Sequence, residues 1–345
     1  WDALAYYVSD PASPDAPVFD VDRGYFDITN KAFATPQILE DEWGPFPACW
    51  LVGRFPSESC DPSEITLRHS FLKVEDHDYE PLDFDGPRMD LFGWFTNDRF
   101  GYDRRYGVVD DRWHRFASRW NLFARSHVSP LLACNSKETT PVGKDPHRDE
   151  DGDGTEDECQ SVGRGSRCDD IRGECTVPMR DREVKTIVWH VNEEFPEELF
   201  EGTAQALDGW SEGIRVALVA ARLAECRRTK ATDCEAQMGW PARWSDDFSP
   251  KLGSSSPAEV PKIFVLCHNP VDSTKGDDPR CGADGTKVRL GDLRFNLINI
   301  IQSPQLTSPW GIMVDAEDPL TGEKISGSVN QWGAVLDRAA STLVD

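Results

Sequence analysis

The chain has 345 residues, 39% of them hydrophobic, with 12 Trp and 17 Phe, which supplies more than one core and excludes wholesale disorder. Its 61 acidic against 37 basic side chains leave a formal charge of −24, so its surface repels nucleic acid and anionic lipid headgroups. No stretch of about eighteen consecutive apolar residues occurs, so no transmembrane segment is expected.

Residues 1–128 read as a β-rich, aromatic N-terminal domain. Ile65–Val74 alternates as a strand does, and turn-formers such as Pro81, Gly86, Gly101 and Gly107 punctuate the segment. Asp110-Asp111 reads as the cap of a short helix carrying Trp113, Phe116 and Trp120 on one face, an aromatic stripe best explained as core packing. The abrupt opening on Trp1-Asp2 predicts that residues precede it, a leader or a lipid anchor among them.

Residues 129–180 change character: apolar residues thin out, and four cysteines sit among glycine and charge. Such a segment cannot build a conventional core and reads as a linker stapled by metal and disulfides. Its centre is the run Asp149-Glu-Asp-Gly-Asp-Gly-Thr-Glu-Asp-Glu158. Carboxylates at alternate positions, with glycines that let the backbone turn back, suit a hard cation taking about six to eight oxygens. The expected calcium ligands are Asp149, Asp151, Asp153 and Asp157, with the Thr155 carbonyl and Glu158 completing the shell. Gln160 stands where an EF-hand loop places its bidentate Glu, so a full EF-hand is not expected.

The ten cysteines fall into neighbours, Cys49 with Cys60, Cys134 with Cys159, Cys168 with Cys175, Cys226 with Cys234 and Cys267 with Cys281. An even count in an acidic chain with a calcium-type loop reads as disulfides, although sequence alone does not fix connectivity. No C-x-x-C pair or finger-like Cys and His spacing supports zinc. These features predict an oxidising, calcium-rich location: secreted, periplasmic or at the outer membrane or cell surface of a Gram-negative bacterium.

Residues 181–345 read as α/β. Val184–Val191 is a buried strand, and a long helix follows Pro196 with Phe200, Leu207, Trp210, Ile214, Ala217 and Ala221 as its apolar face. Further strands are expected at Lys262–Cys267, through Val288–Ile301, and at Gly311–Asp315 and Lys324–Ser326 about a turn at Asp318–Glu323. A final helix is expected over Asn330–Leu343.

This last third resembles the N-terminal half of a zincin-type zinc metalloprotease domain. The residues that carry the resemblance are Ile187-Val-Trp-His-Val191, Phe195-Pro196, Ala206–Trp210, Asp292–Asn296 and, most tellingly, Ser308–Ile325 with its Asp-Pro-Leu-Thr-Gly-Glu. Arg68–Val74, Val108–Arg115 and Cys175–Arg182 also resemble segments that precede the domain in large secreted bacterial zincins. The resemblance implies an edge hairpin flanking a substrate cleft, with an H-E-x-x-H helix following it. That motif is absent here: none of the seven histidines is followed by Glu, and no two lie three to five residues apart.

The fold expected is therefore an α+β multidomain chain ending in an incomplete zincin-like α/β domain. Zinc is not expected in this chain, and a C-terminal catalytic fragment or other envelope proteins are the implied partners. The function expected is that of the non-catalytic N-terminal portion of a secreted metalloprotease-like protein, acting as prosegment or substrate-handling module. The alternative is a calcium-stabilised structural or interaction subunit of an envelope assembly with a degenerate protease-like frame. No glycosidase carboxylate pair, G-x-S-x-G elbow or phosphate loop can be argued from the sequence. His190 reads as a packed strand histidine, and His268, at a strand end, is the one histidine placed where an α/β site opens.

Overall fold

The computed structural model of the chain describes residues 6–42, 44–48, 62–74, 78–84, 86, 91, 93–103, 105–128, 166, 168–169, 174–229, 232–237, 243–244, 250–251, 260–303 and 309–344. It is a mixed α and β protein with several sheets and few helices. Two compact units divide it, one of residues 1–75 with 289–294, the other of 76–288 with 295–345.

The first unit is built on β3 (Tyr25–Ala34), which pairs with β1 (Tyr6–Tyr7), β2 (Val18–Asp20) and, along its whole length, β6 (Ser63–Leu72); β4 (Ile38–Asp41) and β5 (Gly44–Pro47) form a separate hairpin. Alternation along β3 buries Tyr25, Asp27 and Thr29 on one face, and Phe26 stacks between Phe19 and Phe71 on the other. The buried face is charged. Asp27 accepts from the Tyr25 hydroxyl at 2.6 Å and from the Arg289 guanidinium, and Arg68 stands 3.9 Å away. Arg68 and Ser70 donate to the carbonyls of Leu290 and Gly291, and Arg294 bridges Asp20 and Asp292.

In the second unit, β7 (Thr96–Asp103) and β8 (Gly107–Ala117) form a hairpin. The helix expected over Trp113, Phe116 and Trp120 does not form: Trp113 and Phe116 lie in β8, and Trp120 follows its end. Spacing of three puts Trp113 and Phe116 on opposite faces of a strand, and Trp113 is exposed while Phe116 is buried under Arg99. Cross-strand pairing, including Phe100 on Trp113 and bidentate Arg115 on Asp98, overrides the helical reading. Next come β9 (His127–Val128), β10 (Cys168–Asp169) and β11 (Glu174–Thr176), which form a small sheet.

The main sheet contains β12 (Ile187–Val191), then, after the short β13 (Arg243–Trp244) and β14 (Pro250–Lys251) pair, β15 (Phe264–Cys267), β16 (Asn296–Ile301), β17 (Gly311–Glu317) and β18 (Lys324–Trp332). Their spatial order is β15-β12-β16-β18-β17, with every pairing parallel except β17 on β18. The near-continuous apolar runs of the central strands follow from burial on both faces. Helix α1 (Glu197–Arg228) covers one face, with Leu218, Val219, Leu223 and Cys226 in a core shared with Ile187, Trp189, Ile263, Phe264 and Ile298. Val188, Val265, Cys267, Val271 and Cys281 form the smaller core on the other side.

One helix face and two boundaries differ from the sequence reading. Trp210 and Ala217 are exposed, because Ser211, Ile214 and Leu218 carry the packed stripe and the Ser211 hydroxyl accepts from the Phe264 amide at 2.7 Å. Residues 288–295 form turns, with Gly291 at φ +82°, and the strand begins only at Asn296. The last helix, α3 (Gly333–Val344), starts later than expected because β18 runs on through Trp332 in register with β16. The four-residue α2 (Cys234–Gln237) follows α1.

Candidate functional site

β12 and β15 are parallel, so their carboxyl ends open on the same side, the place where open α/β sheets receive ligands. Asn192 extends the end of β12 and is fixed there by accepting the Ile300 amide at 3.0 Å. The chain then turns through Pro196 into α1, which brings Glu197 and Phe200 of its first turn beside the end of β15. A cleft of about 360 Å³ lies between them, closed by the 268–285 loop with Pro270, Val271, Asp272 and Lys275.

His268 is the centre of this cleft. The residue is 7% exposed and its ring lies flat on Phe200, with ring centroids 3.8 Å apart and planes 10° from parallel. Its Nδ1 is 2.8 Å from Asp277, a carboxylate that also accepts the backbone amides of His268 and Asp272. The imidazole meets the Asp277 carboxylate through Nδ1, which turns Nε2 toward the cleft. There Nε2 stands 3.4 Å from Glu197 Oε1, and Lys275 donates to the other Glu197 oxygen at 2.6 Å. The Lys275 hydrogen bond holds the Glu197 carboxyl below the ordinary carboxylate range, and Glu197 in turn raises the Lys275 ammonium. Asp272 is lowered chiefly by its bond from the Thr274 hydroxyl.

A second feature lies at the other end of the same sheet. β17 is an edge strand, and Trp310, Ile312, Met313 and Val314 are all exposed. The Asp-Pro-Leu-Thr-Gly-Glu segment is the turn behind it. Asp318 accepts from the Leu320 amide and the Thr321 hydroxyl, while the Arg119 amide donates to the Gly322 carbonyl and the Lys324 amide donates to the Arg119 carbonyl, which ties the hairpin to residue 119. Lys324 lies between Asp315 and Glu317, and Glu317 accepts in turn from Asn97 and Ser118.

The expected calcium ligands Asp149, Asp151, Asp153, Thr155, Asp157 and Glu158 lie outside the described residues, as do Cys49, Cys60, Cys134, Cys159, His77 and His147. Cys226–Cys234 and Cys267–Cys281 are disulfides, as their spacing led us to expect. Cys175 is also disulfide-bonded, and Cys168 stands opposite it in the β10–β11 ladder. His190 is buried in mid-strand, donating to the Cys281 carbonyl at 3.1 Å. Among the described residues no group of three or more His, Cys, Asp or Glu side chains is placed to hold a metal, and no helix is long and apolar enough to cross a membrane.

Sequence reasoning found His268 but missed Asp277, Glu197, Lys275 and Phe200. The usable signal was the Cys267–Cys281 pair, whose ring encloses both His268 and Asp277. No family model, no curated protein and no solved structure matches the chain.

Proposed function

We propose that this chain is the pre-catalytic portion of a secreted zincin-like metallopeptidase, and that β17 is the strand against which an extended peptide lies. The observation that carries this reading is the single antiparallel strand at the rim of an otherwise parallel sheet, exposed over residues 311–314 and followed through β18 by a helix. That is the arrangement which the resemblance at Ser308–Ile325 implies. An edge strand offers unpaired backbone groups that a peptide satisfies by adding a strand, with alternate side chains supplying selectivity. The disulfides and the aspartate loop suit a calcium-rich, oxidising exterior.

The test uses the full product of the encoding gene. It should bind zinc, carry an H-E-x-x-H helix beyond Asp345 and cleave peptides in a chelator-sensitive way. In the same protein, a bound extended peptide should slow amide exchange at residues 311–317. A zinc-free product without proteolysis overturns the reading. The envelope-subunit alternative is favoured by one observation, the exposed face of the β7–β8 hairpin, where Phe100 and Trp113 pack with ring centroids 4.1 Å apart and both remain open to solvent. It gains if the full product lacks a zinc helix.

A further inference from the structure

Lys324 is held out of water beside two carboxylates. Its side chain is 10% exposed, against 18% for Asp315 and 16% for Glu317. Surface pairs such as Lys262 with Asp208 and Lys287 with Glu193, by contrast, leave about half of each side chain in solvent. Asp315 and Glu317 are alternate residues of β17, and at the irregularity between Ala316 and Glu317 the register sets Lys324 opposite Glu317. From there Lys324 Nζ touches Asp315 Oδ2 directly and lies 3.6 Å from Glu317 Oε1.

A plain ion pair leaves this position unfavourable. Two carboxylates share one ammonium away from solvent, and Asp315 Oδ1 is buried without a hydrogen-bond partner. Burial pushes the Lys324 ammonium down to about 8, which brings the free amine, a nucleophile, within reach near neutral pH. Groups held in contact reach effective concentrations of roughly 10⁵–10⁸ M, enough to drive a condensation that water would otherwise reverse. An amide between the two side chains removes both of their charges from the buried site, and its N–H faces Glu317.

We propose that Lys324 and Asp315 join in an isopeptide bond that cross-links β17 to β18. A proton passes from the ammonium to the carboxylate it touches, which leaves a free amine and a carboxylic acid. The Lys324 Nζ lone pair then attacks Asp315 Cγ. Glu317 takes one N–H proton and returns it to the departing oxygen, so a C–N bond forms, a C–O bond breaks and one water leaves. The step balances without an oxidant or a co-reactant. Glu317 is its catalytic base, and Asn97 and Ser118, which donate to Glu317, are positioning residues. The bond closes a ring over residues 315–324 and fixes the register of the exposed edge strand covalently. It does not depend on the peptidase reading.

The test is mass spectrometry of the full chain, reduced and alkylated so that disulfides do not contribute. The intact mass should fall short of the sequence mass by one water. Trypsin should pass over Lys324 and release residues 295–338 as one peptide, lighter by the same water. Acid cleavage of that peptide at Asp318-Pro319 should open the ring without separating its two halves. Lys324→Arg, which keeps the charge, and Glu317→Gln, which keeps the shape, should both regain the full mass. A succinimide at an Asp-Gly step such as Asp208-Gly209 also loses water, but it leaves Lys324 open to trypsin and persists in Lys324→Arg. The wild-type digest decides the question even if a variant fails to fold. A chain of full sequence mass, or one that trypsin cuts after Lys324, would show an ordinary ion pair and overturn the proposal, and a bond that persists in Glu317→Gln would remove Glu317 as the base.

Discussion

Removing the Asp27 carboxylate should loosen the first unit far more than loss of a surface ion pair would. Asp27 is fully buried, accepts from Tyr25 and Arg289, and is the near anionic partner of Arg68. One of its oxygens and the Arg68 Nε have no hydrogen-bond partner, so the cluster is held by charge as much as by geometry. Burial and Asp27 both push the Tyr25 hydroxyl up, so that group stays a neutral donor; burial and then Arg289 lower Arg68. Asp27→Asn keeps the shape and deletes the charge, which leaves Arg289 and Arg68 facing one another with Asp15 as the carboxylate still on Arg68. Stranding a buried charge costs about 3–5 kcal/mol. Hydrogen exchange read on peptides spanning 25–34 and 63–72 suits the question, since a chain of two units need not unfold in one step. At about 1.4 kcal/mol per factor of ten, protection in β3 and β6 should fall by roughly two to four powers of ten. Asp27→Leu with Arg289→Met should recover part of the loss, as an apolar replacement of both partners removes the stranded charge. A fall of less than tenfold for Asp27→Asn would mean that water reaches the cluster and that the reasoning from burial is wrong.

Three further outcomes follow. Burial holds His190 below its ordinary pKa of 6.5, so the unfolded chain binds the proton more readily; its contribution is complete above that value and is lost as pH falls through the window down to the depressed folded value. Thermal midpoints should therefore drop as pH falls below neutrality, less steeply in His190→Gln, and equal slopes would remove the assignment. Gly322 sits at φ +74°, and a Cβ there would meet the Ala117 carbonyl at 2.8 Å, so Gly322→Ala should cost at least ~1–3 kcal/mol and speed exchange at 318–324. Calcium should raise the thermal midpoint or the protease resistance of residues 129–180, and identical behaviour in chelator would dispose of the aspartate-loop ligands.

What could be read from the sequence was what periodicity and punctuation encode locally. The strand at Ile187–Val191, the helix after Pro196, the strand ending at Cys267 and the hairpin about Asp318–Glu323 each carry their own signal: an apolar run, a proline at the first turn, a turn motif with glycine in the left-handed region. Errors arose where a distant partner decides the outcome. Trp113 and Phe116 have helical spacing, but β7 pairs with β8 and makes them neighbours on opposite faces of a hairpin. Trp210 fits the helical stripe, but the packing of α1 against β15 selects Ser211.

The candidate site illustrates the same rule at the level of chemistry. His268 was visible because a histidine at a strand end is a local feature. Its partners were not, since Glu197 comes from the first turn of the preceding helix and Asp277 from a loop closed by a disulfide. What makes the imidazole notable is its orientation, with one nitrogen committed to a buried carboxylate and the other directed at a second acceptor. Only the crossover from β12 through α1 to β15 creates that pairing, by bringing the start of a 32-residue helix and the end of the next strand to one side of the sheet. A parallel sheet therefore builds its cleft from residues far apart in sequence, and the chemistry there becomes readable only once strand order and direction are known.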